Sequence, residues 1–295
     1  MRTRIEQVRQ ARQIHGGLIG LGLAALGVKL SRVPIPSKTL REKLWKKIYG
    51  GKYPAIDARE MEKPLGDYRS LNDLFTRGVS AETRCLDPDP NTLLCPCDST
   101  VQDMGRIQRD TILTVKGTEY TLESLLPETD TERYHNGLFS ILFLSPRDCH
   151  RVFSPMPAQL DGITHVPGSR LLVHPPFQKK EFPVFALNER VILRFSSPKG
   201  CFALVMVAGW GVGHITHPFA LDLKIRSRQI THANFPEPRI VERGEWIATF
   251  ELGSTVILIT EPNLCDEALI CRDQSLHYGQ AAYRLRTLAS EDAHG

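Results

Sequence analysis

From Leu86 onward the chain breaks into short alternating or apolar runs ended by Pro, Gly or Asp, and this rhythm limits the folds open to it. Thr100–Met104, Ile112–Val115, Leu138–Leu144, Arg151–Phe153, Arg190–Phe195, Phe202–Ala208, Trp246–Phe250 and Thr255–Thr260 read as strands. One helix is predicted among them, over Thr121–Leu126. Many short strands with a single inserted helix predict an α+β protein, its larger part β-rich and built of short antiparallel strands.

The residues before that part follow another pattern. Met1 to His15 is basic and suits a helix. Gly16 to Val28 has no charge, but its five glycines weaken a helix in water, and thirteen residues fall short of the roughly 17–25 that span a bilayer. It reads as a membrane-contacting or buried segment. Ser37 or Thr39 can cap a following helix whose apolar face is Leu40, Leu44, Trp45 and Ile48 and which Gly50-Gly51 ends. Ser70-Leu-Asn-Asp73 has the spacing of a capping box. The expected division is an N-terminal helical region over residues 1–84 and a β-rich domain over 85–295.

Charge sharpens this division. Residues 1–52 hold twelve Lys/Arg and two Glu, a net of +10, so the remainder carries −6 of the overall +4. A basic amphipathic helix bearing a Trp fits an anionic membrane surface. Nucleic acid is not expected, because the segment lacks interleaved aromatics. Seven scattered cysteines argue for a reducing compartment over a disulfide framework. Cys95-Pro-Cys97 has no second Cys/His pair at zinc spacing, so no metal is expected.

Four places hold residues that do chemistry. Asp98 stands at the start of a strand, and His150 lies in Leu144-Ser-Pro-Arg-Asp-Cys-His150-Arg-Val-Phe153. His214 follows Gly209-Trp-Gly-Val-Gly213, and the Gly253-Ser254 pair precedes an apolar β-branched run. Ser254 can reach the carbonyl of Gly253, a geometry that permits an N-to-O acyl shift. Each also has an ordinary reading: a turn-forming Asp, a structural His, a glycine run without dinucleotide-binding spacing, and a Gly-Ser turn. Ser254 precedes a strand without the strand-to-helix elbow of a triad serine hydrolase.

Taken together, these residues resemble the pyruvoyl-dependent phosphatidylserine decarboxylases. The similarity runs in order through Asp98, Lys116-Gly117, Tyr120–Leu126, Asn136-Gly137, Leu144–Val152, Val166-Pro-Gly168, Asn188-Glu-Arg190, Leu252-Gly-Ser-Thr255 and Gly279-Gln280. The resemblance implies that Ser254 attacks the Gly253 carbonyl and that elimination from the ester separates a β chain, 1–253, from an α chain, 254–295. Ser254 would become the pyruvoyl cofactor. That group would form a Schiff base with phosphatidylserine, release carbon dioxide and yield phosphatidylethanolamine. His150 would serve decarboxylation, and Asp98 would belong to the self-cleavage machinery. The resemblance further implies a homodimer and peripheral attachment to the cytoplasmic face of the cell membrane.

One departure bears on mechanism. The family commonly has a second histidine where this chain has Phe153, and that histidine is the base for self-cleavage. Either His150 serves both steps, or His214 or His174 has taken the base role, or the chain is a non-maturing phospholipid-binding pseudoenzyme.

Overall fold

The computed structural model describes residues 4–14, 17–49, 58–80, 82–114, 117–210, 214–220, 228–251 and 254–287. Helices α1 (Arg4–Ile14), α2 (Gly17–Ser31), α3 (Lys38–Tyr49) and α4 (Leu71–Phe75) come first. The next elements are strands β1 (Thr92–Leu94), β2 (Ser99–Arg106), β3 (Thr111–Leu113) and β4 (Glu119–Thr121), then helix α5 (Leu122–Leu125). Strands β5 (Leu138–Leu144), β6 (Arg151–Phe153) and β7 (Ala158–Val166) precede helix α6 (Val184–Leu187). Strands β8 (Arg190–Ser197), β9 (Gly200–Ala208), β10 (Ile215–Thr216), β11 (Thr231–Val241) and β12 (Trp246–Phe250) follow. The last four are β13 (Ser254–Thr260), β14 (Cys265–Ala268), β15 (Ser275–Leu276) and β16 (Ala281–Leu285). The protein is α+β, as expected, and its named strand pairs are antiparallel.

An eight-stranded sheet, ordered β11-β7-β8-β9-β13-β5-β2-β15, organises the core. β13 lies inside it, between β9 and β5. Its run of Thr255 to Ile259 is buried on both sides, which is why the sequence there is continuously apolar and β-branched. Side chains alternate faces along the strand. Val256 and Leu258 join one core with Leu142, Leu144, Leu204 and Met206. Ile257 and Ile259 join the other with Phe139, Ile141, Ala203 and Val205. Each fully buried aliphatic side chain contributes about 1.5–3 kcal/mol.

The first core also takes Val152, Ile215, Ile247 and Phe250 from the smaller sheet β10-β12-β6. β12 ends at Phe250, four positions before Ser254 in the sequence. At the N-terminus, Trp45 and Tyr49 of α3 pack with Met61, Tyr68 and Leu74 in a separate small core. The buried stripe of α3 is therefore not quite the expected one: Leu40 and Ile48 are exposed, while Tyr49 is buried. Trp45 fixes that rotation, its indole N–H donating to the Tyr68 carbonyl at 3.1 Å.

Ser37 is the α3 cap, its hydroxyl accepting from the Leu40 N–H. Ser70 caps α4 by accepting from Asp73 N, but the Asp73 carboxylate returns to the N–H of Arg69, one residue before the position a capping box requires. The expected strand over Ile112–Val115 is observed as Thr111–Leu113, and the helix over Thr121–Leu126 as Leu122–Leu125 with Thr121 as its cap. Gly50-Gly51, Val115, Lys116, Gly211 to Gly213, Leu252 and Gly253 lie outside the described residues.

Gly16 to Val28 falls mainly in α2, and the buried reading of it is corrected. Ile19, Leu23, Leu26 and Leu30 recur every three or four residues and are exposed, with Val33 beyond them. Among the described residues, no helix is long and apolar enough to cross a membrane.

Candidate active site

Ser254 is the first residue of β13, flanked by Leu144 of β5 and Ala208 of β9. The alternation of the strand puts its side chain on the face of Val256 and Leu258. It is fully buried, and its hydroxyl has no hydrogen-bond partner among the described residues. Buried hydroxyls are rarely left so, because the desolvation cost goes uncompensated. A strand start that is closed to solvent is also not the exposed elbow of a serine hydrolase.

His150 is built by the turn that follows β5. Ser145-Pro-Arg-Asp148 closes on itself: Asp148 N–H donates to the Ser145 carbonyl, and Ser145 N–H donates to the Asp148 carboxylate at 2.7 Å. Pro146 favours such a turn by fixing its own φ. The turn presents the Asp148 carbonyl to His150 Nδ1 at 2.9 Å. A carbonyl can only accept, so Nδ1 carries the proton and Nε2 keeps its lone pair. His150 Nε2 is buried and has no hydrogen-bond partner among the described residues. The ring rests on Phe75 of α4 at a centroid distance of 3.8 Å. Burial lowers its pKa to about 3, so the imidazole is neutral at physiological pH. The His150 carbonyl accepts from Phe250 N–H at 2.9 Å, which ties it to the strand leading into Ser254.

Asp98 precedes β2 at the same end of the sheet. Its Oδ1 accepts from Tyr278 N–H at 2.8 Å, and its Oδ2 accepts from Arg84 Nη2 at 2.8 Å. Arg84 in turn donates to both oxygens of Glu60. Burial opposes ionisation of Asp98, but His277, Arg84 and the Tyr278 N–H outweigh it, and the pKa is lowered. Asp98 also favours the protonated form of His150, against the dominant effect of burial. Burial raises the pKa of Asp148.

Phe153 N–H donates to the Pro96 carbonyl, and its ring stacks on Tyr278 with centroids 3.8 Å apart. An aromatic ring without a proton-accepting nitrogen therefore sits beside the Asp98 segment.

The two other candidate histidines are placed differently. The His214 carbonyl accepts from Glu251 N–H at 2.8 Å, three residues before Ser254. His174 lines a cleft of about 330 Å³ with Thr100 and Phe143, its ring edge-on to Phe143. Phe143 pairs with Thr255, so this cleft belongs to the opposite face of the sheet from Ser254.

Residues read only as family landmarks prove to be structural. Asn188 accepts from Leu171 N–H and donates to the carbonyls of Leu171 and Ala208, the latter opposite Ser254. Gly168 lets the Asn188–Glu189 backbone approach to a distance no side chain tolerates: a Cβ there would lie 2.4 Å from it. The fully buried Arg190 donates to the carbonyls of Ser124, Leu125, Ala186 and Asn188. The role of Tyr278 and His277 beside Asp98 carried no local sequence signal beyond the nearby Gly279-Gln280.

Residues 71–284 match the family model described as phosphatidylserine decarboxylase. Curated relatives named phosphatidylserine decarboxylase proenzyme align with most of the chain. The one from Pseudoalteromonas atlantica is 34% identical over 217 residues, covering 71% of this chain and 75% of the relative. That from Alkalilimnicola ehrlichii is 38% identical over 212 residues, covering 69% and 73%. That from Brevibacillus brevis is 32% identical over 235 residues, covering 78% and 84%.

Proposed function

The chain belongs to the phosphatidylserine decarboxylase family, and from that premise we propose how its own residues perform maturation and catalysis. It is a pyruvoyl-dependent carboxy-lyase that converts phosphatidylserine to phosphatidylethanolamine and carbon dioxide. The relatives' names mark them as proenzymes, and the corresponding processing here is self-cleavage between Gly253 and Ser254.

The observation that carries this reading is the pair of unpartnered atoms, Ser254 Oγ and His150 Nε2, both buried. Ser254 Oγ attacks the Gly253 carbonyl carbon, and His150 Nε2 takes the hydroxyl proton. The Oγ–C bond forms as the Gly253–Ser254 C–N bond breaks, and the departing nitrogen receives a proton; loss of the Ser254 Cα proton then breaks the Cβ–Oγ bond and releases Gly253 as a carboxylate, and water replaces the nitrogen, which leaves as ammonia. His150 is free to accept a proton because burial keeps it neutral and its Nδ1 proton is held by the Asp148 carbonyl; the same burial weakens it as a base, and the Asp98 charge works against that weakening. A general base of this kind contributes about 10²–10⁴-fold. The burial of Ser254 also fits the cofactor that it would become, since the residue is closed to solvent and a strand start fixes it on both sides. The pyruvoyl group supplies a carbonyl that takes up the substrate amine and accepts the electron pair left by carbon dioxide. Around it, the described residues exclude water, and His150 holds a lone pair with which a proton is moved.

The exposed stripe Ile19, Leu23, Leu26 and Leu30 on α2 is the membrane-facing element, within a segment whose net charge suits anionic lipids. Residues 1–84 are the membrane-associating part, on the cytoplasmic face, although the family match begins ahead of residue 85.

The test is a denaturing gel of wild-type and Ser254→Ala proteins. The wild type should give fragments of 253 and 42 residues, and the variant a single chain of 295. Normal cleavage of the variant would sink the mechanism.

A further inference from the structure

Asp98 keeps an imidazole beside it, although not from position 153. His277 Nδ1 lies 3.7 Å from Asp98 Oδ2. At that distance the contact is an ion pair and not a hydrogen bond. It is built in by the turn around it. His277 N–H donates to the Gln280 side chain at 2.8 Å, Tyr278 N–H donates to Asp98, and Gly279 N–H donates to the Cys95 carbonyl. Gly279 takes a φ of +87°, a conformation that favours glycine. The turn is thus fastened to the Asp98 segment by two successive N–H groups, those of Tyr278 and Gly279. Phe153 belongs to the same unit, because its ring lies on that of Tyr278, the next residue. The aromatic that replaces the expected histidine and the histidine that reaches Asp98 are packed through one tyrosine.

We propose that His277 is a positioning residue for self-cleavage: it supplies the cationic imidazole partner of Asp98 that Phe153 cannot, and so holds Asp98 as a carboxylate whose charge supports proton uptake by His150. This rests on the assignment of Ser254 and His150 above. The charges facing the pair leave room for this contribution beside those of Arg84 and the Tyr278 N–H. Arg84 is the other cation on Asp98, but it also serves both oxygens of Glu60. Asp148, itself buried, adds a like charge near Asp98, and Cys149, Cys95 and Cys97 feel the carboxylate without helping to neutralise it. Asp98 raises the pKa of His277, against partial burial and Arg84. The imidazolium is therefore favoured up to a higher pH than an isolated histidine allows. Half-exposed, with 52% of its side-chain surface accessible, His277 exchanges protons with solvent while Asp98 stays buried.

The test follows the rate of chain separation in freshly made full-length protein from pH 5 to 9. His277→Ala should slow maturation several-fold near neutral pH, and the alkaline decline of the wild type, where His277 loses its proton, should vanish. His277→Lys should restore the rate and move that decline upward. Phe153→His should rescue His277→Ala, because both positions serve one carboxylate. Wild-type kinetics in His277→Ala would overturn the proposal. So would an equal gain from Phe153→His with and without His277, which would make the sites independent. A second measurement does not depend on cleavage. In Ser254→Ala protein, the His277 pKa read by NMR should lie above 6.5 and fall in Ser254→Ala/Asp98→Asn. No fall would reject the pair, whereas failure of the wild type to cleave would reject only the assignment of Ser254.

Discussion

Asp98 and Ser254 lie at the same end of the central sheet, on either side of β5, and the protein treats their polar atoms in opposite ways. Both are buried. The Asp98 carboxylate is met by Arg84, the Tyr278 N–H and His277, and a second carboxylate, Glu60, backs the arginine. Ser254 Oγ and His150 Nε2 have no such partner among the described residues. The first arrangement fixes a charge; the second leaves a nucleophile and a lone pair uncommitted. The self-cleavage proposed for this site would draw on both: electrostatics already in place, and reacting atoms not spent on structure.

Variants that convert one arrangement into the other should break the comparison, and His150→Gln should have the largest effect. Glutamine keeps polarity but offers no proton-accepting nitrogen, so the maturation rate should fall by about 10²–10⁴-fold. A time course on denaturing gels measures it, and a rate within a few-fold of wild type would remove His150 from the base role. Asp98→Asn comes next. It leaves the shape and removes the charge, and maturation should slow roughly tenfold, the equivalent of about 1.4 kcal/mol. Gly168→Ala tests the scaffold that holds Ala208 opposite Ser254. Its Cβ would meet the Asn188–Glu189 backbone, which cannot yield as a flexible side chain would, and should cost about 1–3 kcal/mol, read as a lower Tm.

Away from the site, Leu23→Glu/Leu26→Glu in the full chain should weaken flotation with anionic vesicles while leaving Tm nearly unchanged, since both side chains are exposed. Unchanged flotation would reject α2 as the membrane-facing element. The smallest effect concerns stability and pH. The lowered Asp98 pKa stabilises the fold above 3.8, and this is lost as pH falls through the folded value. The raised His277 pKa stabilises it below 6.5, and this is lost as pH rises through the folded value. The Tm difference between wild type and His277→Ala should therefore be greatest between these limits and should shrink above them. It should correspond to less than about 1 kcal/mol, because the histidine is half-exposed.

The continuous strands were legible because their patterns are local. Thr255–Thr260 and Phe202–Ala208 fall within β13 and β9, where burial on both faces leaves unbroken apolar runs. β7 and β11 gave no such signal. β7 contains Asp161 and Gly162 at a shift in register. β11 carries Pro236 and Pro238 across a bulge and lies at the edge of the sheet, where missing N–H donors are tolerated. Ser254, His150 and Asp98 are singled out in the sequence only through the family resemblance, since each alone has an ordinary structural reading. The partner of Asp98 could not be named there, because Tyr278 and Asp98 are 180 residues apart and only the folded turn brings His277 to the carboxylate. His174 looked equivalent to His214 in the sequence. The one-residue alternation of β5 sets His174 with Phe143, on the face away from Ser254, whereas His214 is tied to Glu251 through its backbone carbonyl.

The account is tested most directly by the intact mass of the small fragment from purified wild-type protein. It predicts a 42-residue chain beginning at position 254 and lighter by one ammonia than the same peptide with an amino-terminal serine. A fragment that retains that serine, or a chain that stays whole after prolonged incubation, would contradict it.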